Sequence, residues 1–225
     1  MKKRKEIVQT PLGETKVLLH TCCAPCSSAI IECLLQNGIT PVIYYCNPNI
    51  FPQEEYEIRK NECTRYAESL GLEIVDADYD HDNWLSQMTG LENEPERGGR
   101  CLKCFKLRLL RTAEYAAAHG IRVITSTLAS SRWKSLEQIN EAGIWACEQV
   151  ASLTYKAIDE SRLGGDGFSV ATPIYWTHNW KKGGLQERRL QIIKEYDFYN
   201  QLYCGCEFSI RKETDKIAGP ESSDQ

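Results

Sequence analysis

The feature that most constrains the fold of this chain is a regular alternation of short apolar segments with longer, polar segments of helical character. The predicted elements are a strand at 17–20, a helix at 27–36, a strand at 41–45, a helix at 53–70 and a strand at 72–75. Asn37-Gly38 and Gly71 follow the two helical segments, and such residues commonly end helices. A β-α-β-α-β order predicts parallel strands, because each helix returns the chain to the same end of the sheet.

The alternation continues less regularly through the rest of the chain. The further predicted elements are a short helix near 82–89, a helix at 101–119, a strand at 121–125, a helix at 134–151, a strand or extended loop at 168–171 and a helix at 185–196. We therefore expect the α/β class, with three layers in which a mostly parallel sheet carries helices on both faces.

Length and composition predict one domain. The chain has 225 residues, 42% of them hydrophobic, which is enough for a sizeable core, and it shows no internal repeat or linker. The segment after Lys216 is polar and contains Gly219-Pro220, which is typical of a disordered tail. We expect a single domain over 1–225, with an ordered core over about 14–212 and a polar tail over about 217–225.

The sequence predicts a cytoplasmic protein without a membrane partner. No apolar run approaches the roughly 20 residues that a membrane span needs. Residues 1–5 are basic, but no long apolar stretch follows them, so they do not resemble a secretory signal.

Seven of the eleven cysteines fall in three tight clusters that are far apart in the sequence. The clusters are Cys22-Cys23-Ala24-Pro25-Cys26, Cys101-Leu102-Lys103-Cys104 and Cys204-Gly205-Cys206. Disulfides are rare in the cytoplasm, so clustered cysteines indicate metal ligands or redox groups. Because a zinc ion or a [4Fe–4S] cluster takes four protein ligands, seven sulfurs indicate iron–sulfur chemistry with either a second metal or free thiols nearby.

The first cluster lies between the first predicted strand and the helix that follows it. Ligands of open α/β sheets bind at this end of the strands. Pro25 suits the first turn of a helix, whose positive end stabilises thiolates and lowers the pKa of cysteines. Deprotonated sulfur is therefore favoured at Cys22, Cys23 and Cys26.

The other two clusters are ambiguous when each is considered alone. Cys101 and Cys104 share one face of a helix start, and a C-x-x-C pair fits zinc, thiol redox chemistry or iron–sulfur. Gly205 lets the backbone bend closely around a bulky ligand, but a purely structural role for this pair is also open. The remaining cysteines are interpreted as core residues; they are Cys33, Cys46, Cys63 and Cys147. His20 is interpreted as a core histidine, with a role beside a metal ligand as the alternative.

The chain has a net charge of −4, but two of its segments are rich in basic residues. Basic residues surround the second cluster and form another group near residue 185; they are Arg97, Arg100, Lys103, Lys106, Arg108, Arg111, Lys181, Lys182, Arg188 and Arg189. A basic face on an acidic protein is compatible with a phosphate backbone as partner. Solvated helix faces are an equally good interpretation of either group.

Motifs spread along most of the chain together resemble one family. In order they are His20-Thr21-Cys22-Cys23-Ala24-Pro25, Asn47-Pro48-Asn49-Ile50, Glu55-Tyr56 with Arg59, Arg100-Cys101 with Cys104, Lys182-Gly183-Gly184 and Tyr203-Cys204-Gly205-Cys206. This set resembles the QueH-type epoxyqueuosine reductases. Several separate motifs in the right order are far more specific than any one of them.

The resemblance implies an oxidoreductase of tRNA modification that removes the epoxide oxygen of epoxyqueuosine to leave queuosine. It implies a fold similar to nucleotide-binding (HUP-like) domains, with a [4Fe–4S] cluster and an adjacent mononuclear iron in place of a nucleotide. The partners implied are tRNA carrying epoxyqueuosine and a low-potential electron donor. The implied metal ligands are Cys22, Cys23, Cys101, Cys104, Cys204 and Cys206, together with Cys26, where similar sequences can carry aspartate.

The substrate would be a bulky base in an anticodon loop, splayed out from its neighbours to reach the metal. Candidates for base contact lie at two predicted strand ends; they are Tyr45, Asn47, Asn49, Ser126 and Thr127. Arg59 and Lys182 are candidates for phosphate contact. For all of these, a loop-stabilising or solvated role is the equal alternative.

Three other functions are open on the sequence alone. An ATP-using enzyme of the pyrophosphatase-like α/β class needs a glycine-rich loop after the first strand, where this chain has no glycine between Thr21 and Cys26. A zinc-binding RNA-interaction module would hold zinc without redox catalysis. A thiol–disulfide oxidoreductase would need only Cys101 and Cys104.

Overall fold

The structure, a computed structural model, describes residues 6–161 and 172–210, with side chains for all of these except 154–161. The strands described are β1 (Lys16–His20), β2 (Thr40–Tyr45), β3 (Ile74–Asp76), β4 (Val123–Ser126) and β5 (Ile174–Tyr175). The α-helices described are α1 (Ala24–Gln36), α2 (Gln53–Ser69), α3 (His81–Gln87), α4 (Gly99–Ala118), α5 (Leu136–Ser161) and α6 (Leu185–Glu195). Short 3₁₀ helices lie at Pro11–Gly13, Thr127–Ser130 and Glu207–Ser209.

The strands form one parallel sheet in the order β3-β2-β1-β4-β5. Leu18 of β1 pairs with Val42 of β2 on one side and with Ile124 of β4 on the other. Because both faces of β1 are covered, Val17, Leu18 and Leu19 are apolar and buried without alternation, as expected for the central strand of a parallel sheet. The predicted α/β class and parallel sheet are confirmed.

Helices cover the sheet as two layers. α1 packs against α2 and α6, and α4 packs against α5. The strand order reverses direction at β1, since β2 and β3 lie on one side of it and β4 and β5 on the other. This reversal opens a crevice at the carboxyl ends of β1 and β4, which is where doubly wound sheets bind ligands.

Several element boundaries differ from the prediction. β3 begins at Ile74, two residues later than expected, because the Leu72 amide donates to the Ala67 carbonyl and so completes the end of α2. α5 extends to Ser161, well beyond the predicted end at residue 151. β5 was not expected, since a two-residue edge strand is too short to produce a periodic pattern. The strand or loop predicted at 168–171 and the tail predicted after residue 216 lie outside the described residues.

Within 6–161 and 172–210, no helix combines the length and the apolarity that crossing a membrane requires.

The contact between α5 and β5 gives a stability prediction. A Cβ atom at Gly143 of α5 would overlap the ring of Tyr175. Gly143→Ala is therefore expected to lower the free energy of unfolding by about 1–3 kcal/mol, although this change usually stabilises a helix. Denaturant unfolding measures the effect. In a Tyr175→Ala background the same change should be stabilising, and a loss of stability there would contradict the proposed overlap.

Candidate functional site

The first group of sulfurs lies at the crevice between β1 and β4. β1 ends at His20, β4 ends at Ser126, and these two residues are paired in the sheet. Thr127 Oγ1 accepts a hydrogen bond from the Cys22 amide at 3.2 Å and donates to Cys22 Sγ at 3.4 Å. The loop that carries Cys22 is therefore tied to the end of the neighbouring strand.

Three sulfurs, which we call the first cysteine group, come together at the start of α1. The Sγ atoms of Cys22, Cys23 and Cys26 all lie within 4.8 Å of one another. Cys23 occupies the N-cap position of α1, and the Cys26 amide donates to the Cys23 carbonyl, so the first turn brings these residues together. A tetrahedral metal with sulfur ligands at 2.3 Å needs sulfurs ~3.8 Å apart. The Cys22–Cys23 distance of 3.9 Å fits such an ion.

Hydrogen bonds among the thiols of the first cysteine group shift their pKa values in opposite directions. Hydrogen bonds from the Cys23 and Cys26 thiols lower the pKa of Cys22 well below its usual value. The same contacts with Cys22 raise the pKa of Cys23, and they raise that of Cys26 to about 12. Full ionisation of three adjacent thiols requires a cation, so this donor set suits a metal ion.

The second cysteine group consists of Cys101, Cys104, Cys204 and Cys206. Cys101 and Cys104 lie in the first turns of α4, and the other two follow α6. Cys104 and Cys206 are buried together in a small apolar cluster with Trp84 and Met88. Burial raises the pKa of Cys101, and the neighbouring Cys204 and Cys206 raise it further. In the part of the chain described, no other group of three sulfurs is as compact as the first cysteine group.

Arg59 attaches the segment that carries Cys204 and Cys206, which we call the Cys204 loop, to α2. Its side chain is 2% exposed and forms an ion pair with Glu55 at 2.7 Å. The guanidinium also donates to the carbonyl oxygens of Tyr203 and Cys204, both at 3.2 Å. The chain that bears half of the second cysteine group is therefore held by a buried cation.

Gly205 allows this loop to approach the chain that follows β2. Its φ is +133°, a conformation that L-residues with side chains rarely adopt. A Cβ atom here would lie 3.0 Å from Ile50 and 3.1 Å from the Asn49 amide nitrogen. The Phe51 amide donates to the Gly205 carbonyl at 2.9 Å. The absence of a side chain at Gly205 therefore allows the Cys204 loop to contact the backbone that follows β2.

Both cysteine groups face one cavity of about 760 Å³. The cysteines that line it are Cys22, Cys26, Cys101, Cys204 and Cys206. The three sequence clusters therefore meet in space, although about 80 and 100 residues separate them. A cavity of this size can bury a bulky modified nucleobase.

The buried ring of His20 joins the ends of three strands. Its Nε2–H donates to the Cys46 carbonyl at 3.1 Å, so Nδ1 accepts the Ser126 hydroxyl hydrogen at 2.8 Å. Burial, together with the nearby Arg108 guanidinium, lowers the pKa of His20 to about 3. The ring is therefore neutral at physiological pH. These contacts agree with the interpretation of His20 as a core histidine.

The residues predicted to contact the base at the end of β2 are buried. Tyr45 donates its hydroxyl to the Tyr56 carbonyl. Asn47 donates to the Thr21 carbonyl at 2.9 Å and accepts a hydrogen bond from Arg108. Their contact with a base stays a prediction, and the bonds described are those of side chains that stabilise a loop.

The other predicted substrate contacts occupy varied positions. Asn49 is buried beside the Cys204 loop, at the approach of Gly205. Ser126 and Thr127 are buried against His20 and Cys22, as described above. Arg59 lines the cavity, whereas Lys182 is exposed outside its lining. A phosphate contact by Arg59 or Lys182 stays a prediction.

Two cavity residues were missed by the sequence analysis. Burial opposes the charge of Lys134, but the sulfurs of Cys204, Cys22 and Cys26 raise its pKa above the usual value. Gln201 donates from Nε2 to Cys23 Sγ at 2.8 Å. Lys134 lies in the loop between the 3₁₀ helix Thr127–Ser130 and α5, a position that the sheet topology could have indicated. Nothing in the sequence pattern marks Gln201.

The cavity lining is strongly basic. Its cationic residues are Arg59, Arg97, Arg100, Arg132, Lys134, Lys181 and Arg189. Glu96 is the one acidic residue among the lining residues described. Such an excess of positive charge favours anionic ligands, including thiolate-bound metal centres and phosphates.

Comparison with known proteins identifies the family. The family model described as Epoxyqueuosine reductase QueH matches residues 17–166 and 162–212. The chain belongs to this family. Over 207 residues it is 44% identical to the Epoxyqueuosine reductase QueH of Haemophilus influenzae, a match that covers 92% of this chain and 76% of that protein. The family predicted from the sequence motifs is confirmed.

Other members of the QueH family are similar over nearly the whole chain. The protein of that name from Acinetobacter baylyi is 43% identical over 211 residues, which cover 94% of this chain and 88% of the relative. The protein of that name from Thermotoga maritima is 28% identical over 205 residues, 90% of this chain and 94% of the relative.

The buried ion pair of Arg59 gives a second prediction. Arg59→Ala removes the hydrogen bonds to the Cys204 loop and leaves the buried Glu55 carboxylate without its ion-pair partner, with only the Tyr199 hydroxyl still donating to it. We expect a loss of about 3–5 kcal/mol of unfolding free energy. Arg122 forms an exposed ion pair with Glu14, so Arg122→Ala is a matched control that should cost at most about 1 kcal/mol. Equal losses in denaturant unfolding would contradict this account of Arg59.

Proposed function

We propose that this chain reduces epoxyqueuosine in tRNA to queuosine. The observation that supports this most strongly is the convergence of both cysteine groups on one basic cavity, in a chain of the epoxyqueuosine reductase family. The reaction adds two electrons and two protons to the epoxide, breaks both of its C–O bonds, and yields an alkene and water. A low-potential electron donor supplies the electrons.

We propose that the two cysteine groups hold different iron centres. A [4Fe–4S] cluster takes four thiolates, the number that the second cysteine group offers. The first cysteine group offers three close sulfurs and suits a single ion. When bound, these centres supply single-electron transfer and a Lewis acid for the epoxide oxygen.

The side chains of the chain bind, orient and balance charge in this proposal. Lys134 offsets the negative charge of the thiolates that raise its pKa. Gln201 orients the Cys23 sulfur through its hydrogen bond, and Thr127 orients that of Cys22. The cavity admits a base that is splayed out of the anticodon loop, and its walls separate that base from bulk water.

Replacement of single cysteines tests the assignment of the two groups. Wild-type protein, purified without oxygen, should contain about five iron and four sulfide per chain. Cys206→Ala should lose the cluster and its broad visible absorption. Cys22→Ala should keep that absorption and lose about one iron. In nucleoside mass spectrometry, both variants should form queuosine more than about 100-fold more slowly than wild type.

A buried cysteine outside both groups provides the control for this experiment. Cys147 lies on α5, so Cys147→Ala should retain iron, sulfide and turnover. Full activity of Cys22→Ala or Cys206→Ala would remove that residue from the proposed centres. Loss of the visible absorption in Cys22→Ala, together with its retention in Cys206→Ala, would contradict the assignment of the groups.

Metal analysis separates this function from that of a zinc-binding RNA-interaction module. Iron with sulfide, visible absorption that bleaches on reduction, and loss of turnover on chelation are expected for the reductase. A colourless protein with about one zinc per chain and no turnover would support the binding module instead.

A further inference from the structure

An exposed tryptophan lies at the mouth of the cavity. Trp133 is 56% exposed and lines the cavity together with its neighbour Arg132. The Arg132 guanidinium lies 4.7 Å from the centroid of the Trp133 ring. The proposed chemistry does not use either side chain. A single exposed aromatic side chain is common on proteins, so a binding role for Trp133 must be supported by its surroundings.

The loop that carries Trp133 is bound to the second cysteine group. Arg97 donates from its guanidinium to the carbonyl oxygens of Trp133 at 2.9 Å and Arg132 at 3.0 Å. The backbone amide of Arg97 also donates to Cys101 Sγ at 3.3 Å. One residue therefore joins the tryptophan loop to the proposed metal ligands. The backbone of Arg132 and Trp133 is therefore tied to the wall of the cavity through Arg97.

The charge around this tryptophan favours a phosphate-bearing ligand. Arg132, Lys181 and Arg189 lie in the lining of the same cavity. Proteins that bind single-stranded nucleic acids combine such cations with aromatic side chains on which bases stack. An apolar protein partner would not require this excess of positive charge. The combination fits the bases and phosphates of a single-stranded RNA loop better than it fits a protein surface.

We propose that Trp133 stacks on a base adjacent to the modified base, while Arg132 and Lys181 contact phosphates of the same loop. This proposal rests on the proposed function, since it takes the RNA to be the tRNA substrate. Stacking of the neighbouring base offsets part of the free energy lost when the modified base leaves its own stack. Trp133 would thus be a positioning residue that holds the loop in register with the cavity.

The test measures binding of an anticodon stem–loop RNA to the full chain purified without oxygen. The RNA carries 2-aminopurine, a fluorescent base, beside the position of the modified base. Stacking on Trp133 should quench its fluorescence in the wild type. Trp133→Ala should abolish this quenching and weaken binding about tenfold or more, whereas Trp133→Phe should restore most of both.

Salt dependence separates stacking from phosphate contact. Arg132→Gln should reduce the slope of log affinity against log salt by about 0.7, the value expected for one lost contact with single-stranded RNA. Trp133→Ala should leave that slope unchanged. The matched controls are Leu153→Ala and Arg122→Gln, since both residues are exposed and lie outside the cavity lining. Neither control should change the affinity by more than about twofold.

Each outcome has a defined meaning. Normal binding and quenching in Trp133→Ala would overturn the proposal, even if the wild type converts epoxyqueuosine. The proposal would also be overturned if Trp133→Ala bound RNA normally and only slowed electron delivery from a protein donor. Wild-type protein that binds and quenches the probe without forming queuosine would support the stacking site and contradict the proposed reduction instead.

Discussion

The two hydrogen bonds of the buried His20 ring, which link the ends of β1, β2 and β4, are the interaction on which the cavity depends. His20 Nδ1 accepts the hydroxyl hydrogen of Ser126 at the end of β4, and its Nε2–H donates to the Cys46 carbonyl after β2. The ring must be neutral to make both bonds in this way, and its depressed pKa of about 3 ensures that it is. Cys22 follows two residues later, so the first cysteine group begins at a point that three strands hold in place.

Three cations, of which Arg59 and Arg108 are buried, organise the rest of the site around its sulfurs. Arg108 donates to the Cys46 carbonyl and to Asn47, Arg59 ties the Cys204 loop to α2, and Lys134 lies near sulfurs of both cysteine groups. Each of these cations opposes the desolvation cost that a buried thiolate would otherwise incur. A chain of net charge −4 therefore concentrates positive charge where sulfur, metal and phosphate would meet.

Comparison of sequence and structure shows which residues a pattern can reveal. A mostly parallel sheet was predicted from the alternation of strands and helices, and in the structure it places the carboxyl ends of β1, β2 and β4 side by side. The orientation of the side chains there was not predictable. Tyr45 and Asn47 were candidates for base contact, with a loop-stabilising role as the equal alternative, and their hydrogen bonds to backbone carbonyls match the second role while contact with a base stays a prediction. Gln201 contacts Cys23 from 178 residues away, and no local pattern encodes such a contact.

The sequence by itself determined the α/β class, the order of most elements, the family and the identity of the clustered cysteines. These depend on local periodicity, on turn residues and on motifs, all of which are written along the chain. Only the tertiary structure decided that the sulfurs form two groups around one cavity. It also decided that Lys134 and Trp133 belong to that cavity, because the packing of α4, α5 and the Cys204 loop against the sheet sets distances between residues far apart in sequence.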